Sequence, residues 1–175
     1  ITGNELNEVY ADPVQPVIWI ATQRAGLNAY NYETQSFSVY QYNPEDPQSL
    51  ITNDVTHITS SVQAGKGLWV CTYYRGIEYL DIATGKFTHY NKKTVPTLES
   101  EQTWTVLDGG DENLYIGHVN SGFSILSLKD RSTKNFRHDP NDPNSLPGDE
   151  VSTILKDSYG NIWLGTDGGL ALYNS

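Results

Sequence analysis

Short apolar runs recur along this chain, each centred on an aromatic residue and followed six or seven residues later by a glycine. The aromatic residues are spaced by 50, 46 and 48 residues and are Trp19, Trp69, Tyr115 and Trp163. A second set of apolar positions keeps a step of 48 residues and comprises Leu50, Leu98 and Leu146. Recurrence at an interval of this size predicts an array of like structural units.

Each unit predicts four short β-strands and no helix. The first strand has a V-x-x-I spacing, as in segments 55–58 and 151–154. The second is the apolar run around the aromatic residue, which is typical of a strand buried on both faces. The glycine leads into a third strand, and an alternating aromatic segment such as 87–90 forms the fourth. Turn-forming residues, including Gly65 and Asp111, separate the strands. The predicted fold class is all-β.

Four antiparallel strands per unit, with an aromatic residue and a glycine at fixed places, are typical of a β-propeller blade. Units of this size bury their apolar faces on their neighbours, so the recurring aromatic residues are expected to be wedges between blades. We predict a β-propeller fragment that takes up the whole chain, 1–175, and contains about half of one propeller. The fourth blade ends after its third strand. The predicted blades are approximately 5–42, 53–90, 101–138 and 149–175.

The charge balance limits the possible partners. Eleven lysines and arginines stand against 21 aspartates and glutamates, which gives a formal net charge of -10. Nucleic acid is not an expected partner, because phosphate binding needs a basic stripe that this chain lacks. An anionic membrane surface is disfavoured for the same reason. No apolar run approaches the length of a membrane span, and the chain, which lacks methionine, is expected to be a piece of a longer protein.

Catalytic and metal chemistry find no support in the motifs. There is no G-x-S-x-G, no H-E-x-x-H and no phosphate-binding glycine loop. Cys71 is the single cysteine, which excludes an intrachain disulfide and a zinc framework. It aligns with Ala21, Gly117 and Gly165, so we expect it to fill a small buried space. No catalytic residue, metal or cofactor is therefore predicted.

The loops between the second and third strands differ from copy to copy, and loops on a rigid scaffold commonly carry binding specificity. Strand alternation places them on the same rim as the connectors between blades. Tyrosine faces suit the C–H surface of a sugar, and arginine donors suit its hydroxyls. The competing explanation is that Tyr73 and Tyr74 pack on the next blade or simply cover the rim. The candidate ligand-binding residues are Arg24, Tyr73, Tyr74, Arg75, His118, Asn120 and Asp167.

The fourth repeat carries a resemblance to a known family. Residues 157–170 read DSYGNIWLGTDGGL, follow an Asn-Ser-Leu-Pro segment at 144–147, and strongly resemble the two-component regulator propeller repeat. Segments 43–50 and 139–146 are similar to its connector between blades. The second repeat departs from this connector, and the third has Tyr115 for Trp and His118 for Thr.

This resemblance implies the periplasmic sensor domain of a hybrid two-component system histidine kinase of the Bacteroides type. In that family a pair of seven-bladed propellers and a small β-sandwich precede a membrane helix, a kinase, a receiver and a DNA-binding domain. Many members detect oligosaccharides. The chain would then be an extracytoplasmic fragment without enzyme activity or direct membrane contact. The remaining blades of the parent propeller, or a second copy of the chain, are expected to cover its outer faces.

Two other classes stay open from the sequence. A propeller lyase, similar to streptogramin lyases, would need a histidine base and acidic metal ligands near the central axis, and His118 is the one candidate base. A protein-interaction scaffold would instead use the rim to engage a partner protein.

Overall fold

The chain is described by a computed structural model over residues 2–62, 66–110 and 112–174. The predicted turn residues Gly65 and Asp111 lie outside these ranges. Within them the chain forms fifteen β-strands. The strands are β1 (Leu6–Ala11), β2 (Val17–Thr22), β3 (Leu27–Asn31), β4 (Ser36–Tyr40), β5 (Val55–Ser60), β6 (Gly67–Thr72), β7 (Gly76–Asp81), β8 (Lys86–Tyr90), β9 (Thr103–Asp108), β10 (Asn113–His118), β11 (Phe123–Ser127), β12 (Thr133–Phe136), β13 (Val151–Lys156), β14 (Ile162–Thr166) and β15 (Gly169–Tyr173).

The strands form four antiparallel sheets, each in chain order, which we number as blades 1 to 4. Blades 1, 2 and 3 have four strands, and blade 4 has three, β13 to β15. The first strands of successive blades contact one another, β1 with β5, β5 with β9 and β9 with β13. This arrangement places one strand of each sheet around a common axis. The all-β fold and the partial β-propeller predicted from the sequence are confirmed.

The hydrophobic core lies between blades. Blade 1 packs its Trp19 face against apolar side chains of blade 2, including Leu68 and Leu80. Blade 2 packs against blade 3 in the same way. In this second cluster, Cys71 of blade 2 fills a fully buried space, as expected. A third cluster joins blades 3 and 4. Each blade is therefore stabilised by its neighbours, as the repeat architecture requires.

The recurring aromatic residue is a wedge in this core. Trp19, Trp69 and Tyr115 are buried, and Trp163 in blade 4 is half-buried. The indole N–H of Trp19 donates to Asp12 in the same blade at 3.1 Å. The indole of Trp69 instead donates to Asp108 of the next blade at 2.9 Å, so in blade 2 this residue also bonds the two sheets together.

The described residues contain no helix that could cross a membrane.

Candidate functional site at the loop rim

The loops between second and third strands share a rim with the connectors between blades. The N–H of Tyr73 donates to the carbonyl of Asp54, just before β5, at 3.2 Å. The N–H of Asp167 bonds the carbonyl of Glu150, just before β13, at 3.1 Å. We call the surface formed by loops 22–25, 72–75, 118–121 and 166–168 the loop rim. These backbone bonds fix each loop to its own blade, which gives the side chains a rigid base.

Arg24 and Arg75 meet at a groove between blades 1 and 2. The groove has a volume of about 570 Å³ and is also lined by Tyr42 and Asp54. Arg24 has a φ of 65°, and its N–H donates to the Asp54 carboxylate at 2.9 Å. The backbone is thus held while the exposed guanidinium side chain is left for other contacts. The structure brings these two predicted residues together.

Tyr73 and Tyr74 belong to an aromatic cluster that includes a residue absent from the sequence prediction, Trp104. The ring centroids of Tyr73 and Tyr74 are 4.1 Å apart, and those of Tyr73 and Trp104 are 6.1 Å apart. Tyr74 is 53% exposed and Trp104 is 42% exposed. A side-chain hydrogen bond with Tyr73 raises the pKa of Tyr74. We call these three residues the aromatic cluster.

His118 lies where β10 runs into its rim loop and, contrary to the expectation, its side chain is not exposed on the loop rim. It is the last residue of β10, and its side chain is fully buried. Its Nε2 is 2.8 Å from the Ser124 hydroxyl, which in turn donates to Asn135. Burial lowers the pKa of His118 to about 4, so the ring is neutral near pH 7. A polar network within blade 3 therefore binds this histidine through Nε2.

Asn120 and Asp167 lie on the rim with identified structural contacts. The carbonyl of Asn120 accepts a hydrogen bond from Arg137 at 3.1 Å. The carboxylate of Asp167 accepts the N–H of Glu150 at 3.1 Å. Both side chains are exposed. The two residues belong to blades 3 and 4, respectively, whereas the paired arginines belong to blades 1 and 2.

A small cavity opens on the propeller axis beside the aromatic cluster. It has a volume of about 200 Å³ and is lined by Asn7, Glu8, Thr56, His57, Trp104 and Ser152. We call it the axial cavity. Its lining comes from the first strand of every blade. Trp104 belongs both to this cavity and to the aromatic cluster, so the two are continuous.

Glu8 and His57 form the titratable pair of the axial cavity. Their side chains are 3.6 Å apart, and Glu8 also accepts the N–H of Ile58. His57 Nδ1 accepts the N–H of Val106 at 3.4 Å, which leaves the proton of a neutral ring on Nε2, facing Glu8. Burial lowers the pKa of His57 to about 4 and raises that of Glu8. Near pH 7 the imidazole of His57 is therefore neutral, and it lies beside the carboxyl group of Glu8.

Residues 2–62, 66–110 and 112–174 contain no group of three or more His, Cys, Asp or Glu side chains arranged to hold a metal ion.

The radial sheets, the recurring aromatic residue and the shared rim define the chain as a β-propeller segment built from one kind of repeat. The repeat described as "Two component regulator propeller" matches residues 145–168. The chain therefore carries a two-component regulator propeller repeat in this segment, as the sequence predicted.

The chain is similar to parts of two longer signalling proteins. The extracellular domain of a hybrid two-component system from B. thetaiotaomicron is 78% identical, with a TM-score of 0.93, over 100% of this chain and 23% of its own. Histidine kinase P4 of Formosa agariphila is 34% identical over 167 residues, which cover 90% of this chain and 11% of the kinase. The chain is therefore related to the extracellular domain of a hybrid two-component system, and it spans less than a quarter of either relative.

A more distant structure shares the fold alone. The WD40 β-propeller domain of Doa1 is 15% identical, with a TM-score of 0.69, over 97% of this chain and 51% of that domain. This likeness supports the propeller architecture of the four sheets.

Proposed function

We propose that this chain is a segment of the periplasmic sensor of a hybrid two-component receptor that detects glycan-derived oligosaccharides. The observation that carries the proposal is the 78% identity, over the whole chain, with the extracellular domain of a hybrid two-component system. In this proposal the segment binds without catalysis, and a histidine kinase elsewhere in the parent protein reports the binding event.

The chemistry of the loop rim supports an oligosaccharide as the ligand. Sugars present apolar C–H faces that pack on aromatic rings, and hydroxyls that bond to planar donors. The aromatic cluster offers exposed rings, and the groove between blades 1 and 2 holds Arg24 and Arg75. Because the loops are tied to the blades by backbone bonds, little order has to be gained when a ligand binds.

The test uses the intact receptor ectodomain and a library of oligosaccharides, with binding measured by calorimetry. Tyr74→Ala combined with Arg75→Ala is expected to weaken binding at least tenfold, because the variant loses one stacking face and one guanidinium. Tyr32→Ala is the matched control. Tyr32 is 54% exposed, against 53% for Tyr74, but it lies in the β3–β4 turn at the opposite rim.

Each outcome of this test assigns a different function to the chain. Saturable binding without turnover, followed by ligand-dependent phosphorylation in the full-length receptor, supports a sensor. Product formation by the ectodomain would indicate a propeller lyase. If no oligosaccharide binds and the rim instead captures a partner protein, the proposed function is wrong and the chain is an interaction scaffold.

A further inference from the structure

We propose that Trp104, together with Tyr73 and Tyr74, forms the stacking wall of a binding site at the axial cavity, and that this site takes an uncharged sugar ring. The inference rests on the proposed function and adds to it the position of the site and the charge class of the ligand.

The fold places the bulged residue of each blade's first strand at this cavity. The first strand of each blade has a register shift at the same step: between Leu6 and Glu8 in blade 1, and between Val55 and His57 in blade 2. Blades 3 and 4 repeat it beside Trp104 and Ser152. A β-bulge redirects the extra residue and is common next to functional sites. The four redirected residues are Asn7, Thr56, Trp104 and Ser152.

Three of these four side chains have a structural role that the fourth does not share. Asn7 donates to the carbonyl of Val55 at 2.6 Å, and Thr56 donates to the carbonyl of Thr103 at 3.4 Å. Ser152 donates to the carbonyl of Gly165 at 3.5 Å. Short polar residues therefore satisfy this position by bonding to the backbone. Trp104 places a large ring there that stays 42% exposed.

Trp104 is held in place by the rim. Its ring meets Tyr73 at 72°, and Tyr73 meets Tyr74 at 72°, so Tyr73 makes edge-to-face contacts with both neighbours. Edge-to-face contacts of this kind fix ring orientation. The loop that carries Tyr73 is bonded to the residue before β5. The wall is thus preorganised, with exposed aromatic surface next to a cavity with polar walls.

The charges around the axial cavity select against an acidic sugar. The six described residues that line it include the Glu8 carboxylate and no lysine or arginine. The histidine in the lining, His57, is neutral near pH 7 because it is buried. A uronic acid or sulfated sugar placed here would lie beside an acidic residue and find no compensating cation among these six. Asn7, Thr56 and Ser152 instead suit the hydroxyls of an uncharged ring.

The test measures binding of defined oligosaccharides to the intact ectodomain by calorimetry. The probes are neutral gluco-, manno- and galacto-oligosaccharides and, as the acidic set, oligogalacturonides. Trp104→Ala is expected to weaken binding of the neutral probe at least tenfold, and Trp104→Phe by no more than about threefold. Trp104→Leu keeps apolar volume without an aromatic face, so it is expected to behave like Trp104→Ala. Tyr32→Ala is the exposed-aromatic control.

The outcomes separate this inference from the proposed function. If an acidic probe binds, and its binding depends on Arg24 and Arg75 but not on Trp104, the axial site is wrong while the oligosaccharide sensor stands. Equal binding by Trp104→Leu and Trp104→Phe would overturn the stacking role, even if Trp104→Ala proved unstable. If no probe binds to the unmodified ectodomain, both proposals fail.

Discussion

A single glycine in each repeat controls how successive blades join. Gly76 begins β7 with a φ of 83°, and its N–H donates to the carbonyl of Glu101, just before blade 3, at 2.9 Å. Gly26 and Gly122 make the same bond to the residue before the next blade. A Cβ at Gly76 would clash with the carbonyl oxygen of Tyr90. The glycine therefore serves both the turn and the close approach of two backbones.

Gly76→Ala is expected to lower the free energy of unfolding by more than about 3 kcal/mol, because backbone strain adds to displacement of the Tyr90 carbonyl. Gly160 separates the two effects. It has a φ of 91° but nothing within 4 Å of an added Cβ. Gly160→Ala should cost only about 1–2 kcal/mol. Urea unfolding of both variants checks this prediction, and equal losses would show that the close approach is unimportant.

At the scale of elements, a buried acid and a histidine attach a connector to its blade. Glu78 of β7 is fully buried, and its carboxylate is 2.5 Å from Nδ1 of His89 in β8. Nε2 of His89 is 2.8 Å from the carbonyl of Pro47 in the connector between blades 1 and 2. A carbonyl only accepts, so Nε2 carries a proton, and a second proton lies between Nδ1 and Glu78. Burial raises the pKa of Glu78 to about 7, and the bond with Glu78 raises the pKa of His89.

This pair predicts that stability falls as the pH rises above 6.5. The His89 pKa is higher in the folded state, so its stabilisation is complete below the unfolded value of about 6.5 and is lost as the pH rises through the folded value. The raised pKa of Glu78 acts in the same direction at lower pH, from its ordinary value of 4.5 up to about 7, because the folded state retains a proton that the unfolded state releases. Urea unfolding between pH 6.5 and 9 measures the slope, which Glu78→Gln should flatten.

His57→Gln is the control for this slope. The pKa of His57 is about 4 in the folded state, so above about pH 7.5, one unit beyond the unfolded value, the ring is neutral both folded and unfolded. The substitution is expected to change stability while leaving the slope above about pH 7.5 intact. A slope that disappears in His57→Gln and persists in Glu78→Gln would contradict the assignment.

At the scale of the whole molecule, the two terminal blades each present an apolar face. Leu170 of blade 4 is 67% exposed, whereas the residues at its position in blades 1 to 3 are fully buried. Those residues are Leu27, Ile77 and Phe123. On blade 1, Leu6 and Val9 are exposed as well. Each inner blade buries the same surface against a neighbour, so these faces are suited to further blades or to a second copy of the chain.

The isolated chain is therefore expected to self-associate through these faces. Leu170→Glu should shift the mass measured by light scattering toward the monomer and reduce binding of a hydrophobic dye. Tyr159→Glu controls for added charge, because Tyr159 is 90% exposed but lies in the turn between β13 and β14. A folded, strictly monomeric chain that binds no dye would contradict this expectation.

The local pattern of apolar and polar residues was sufficient to predict the scaffold. Recurring apolar runs, the aromatic residue and the glycine predict strands and their repetition, because burial between like units imposes the same requirement on every copy. The aromatic wedge and the small space at Cys71 follow from the same requirement, and both are confirmed by their burial. Arg24 and Arg75 could be placed on one rim because strand alternation fixes which end of a blade a loop occupies.

The candidate site depended on contacts that no repeat period encodes. His118 looked like a loop residue, yet it is buried and bonds to Ser124, which in turn donates to Asn135 within blade 3. Trp104 occupies a strand position at which the other blades have Asn, Thr or Ser. Its suitability for a binding site can be recognised only from the tertiary structure, in which a bulge turns it toward the axis beside Tyr73. The sequence by itself determined which units form, because their apolar surfaces must be buried. Only the tertiary structure decided which side chains meet at the axis, because residues about 48 positions apart become neighbours through packing.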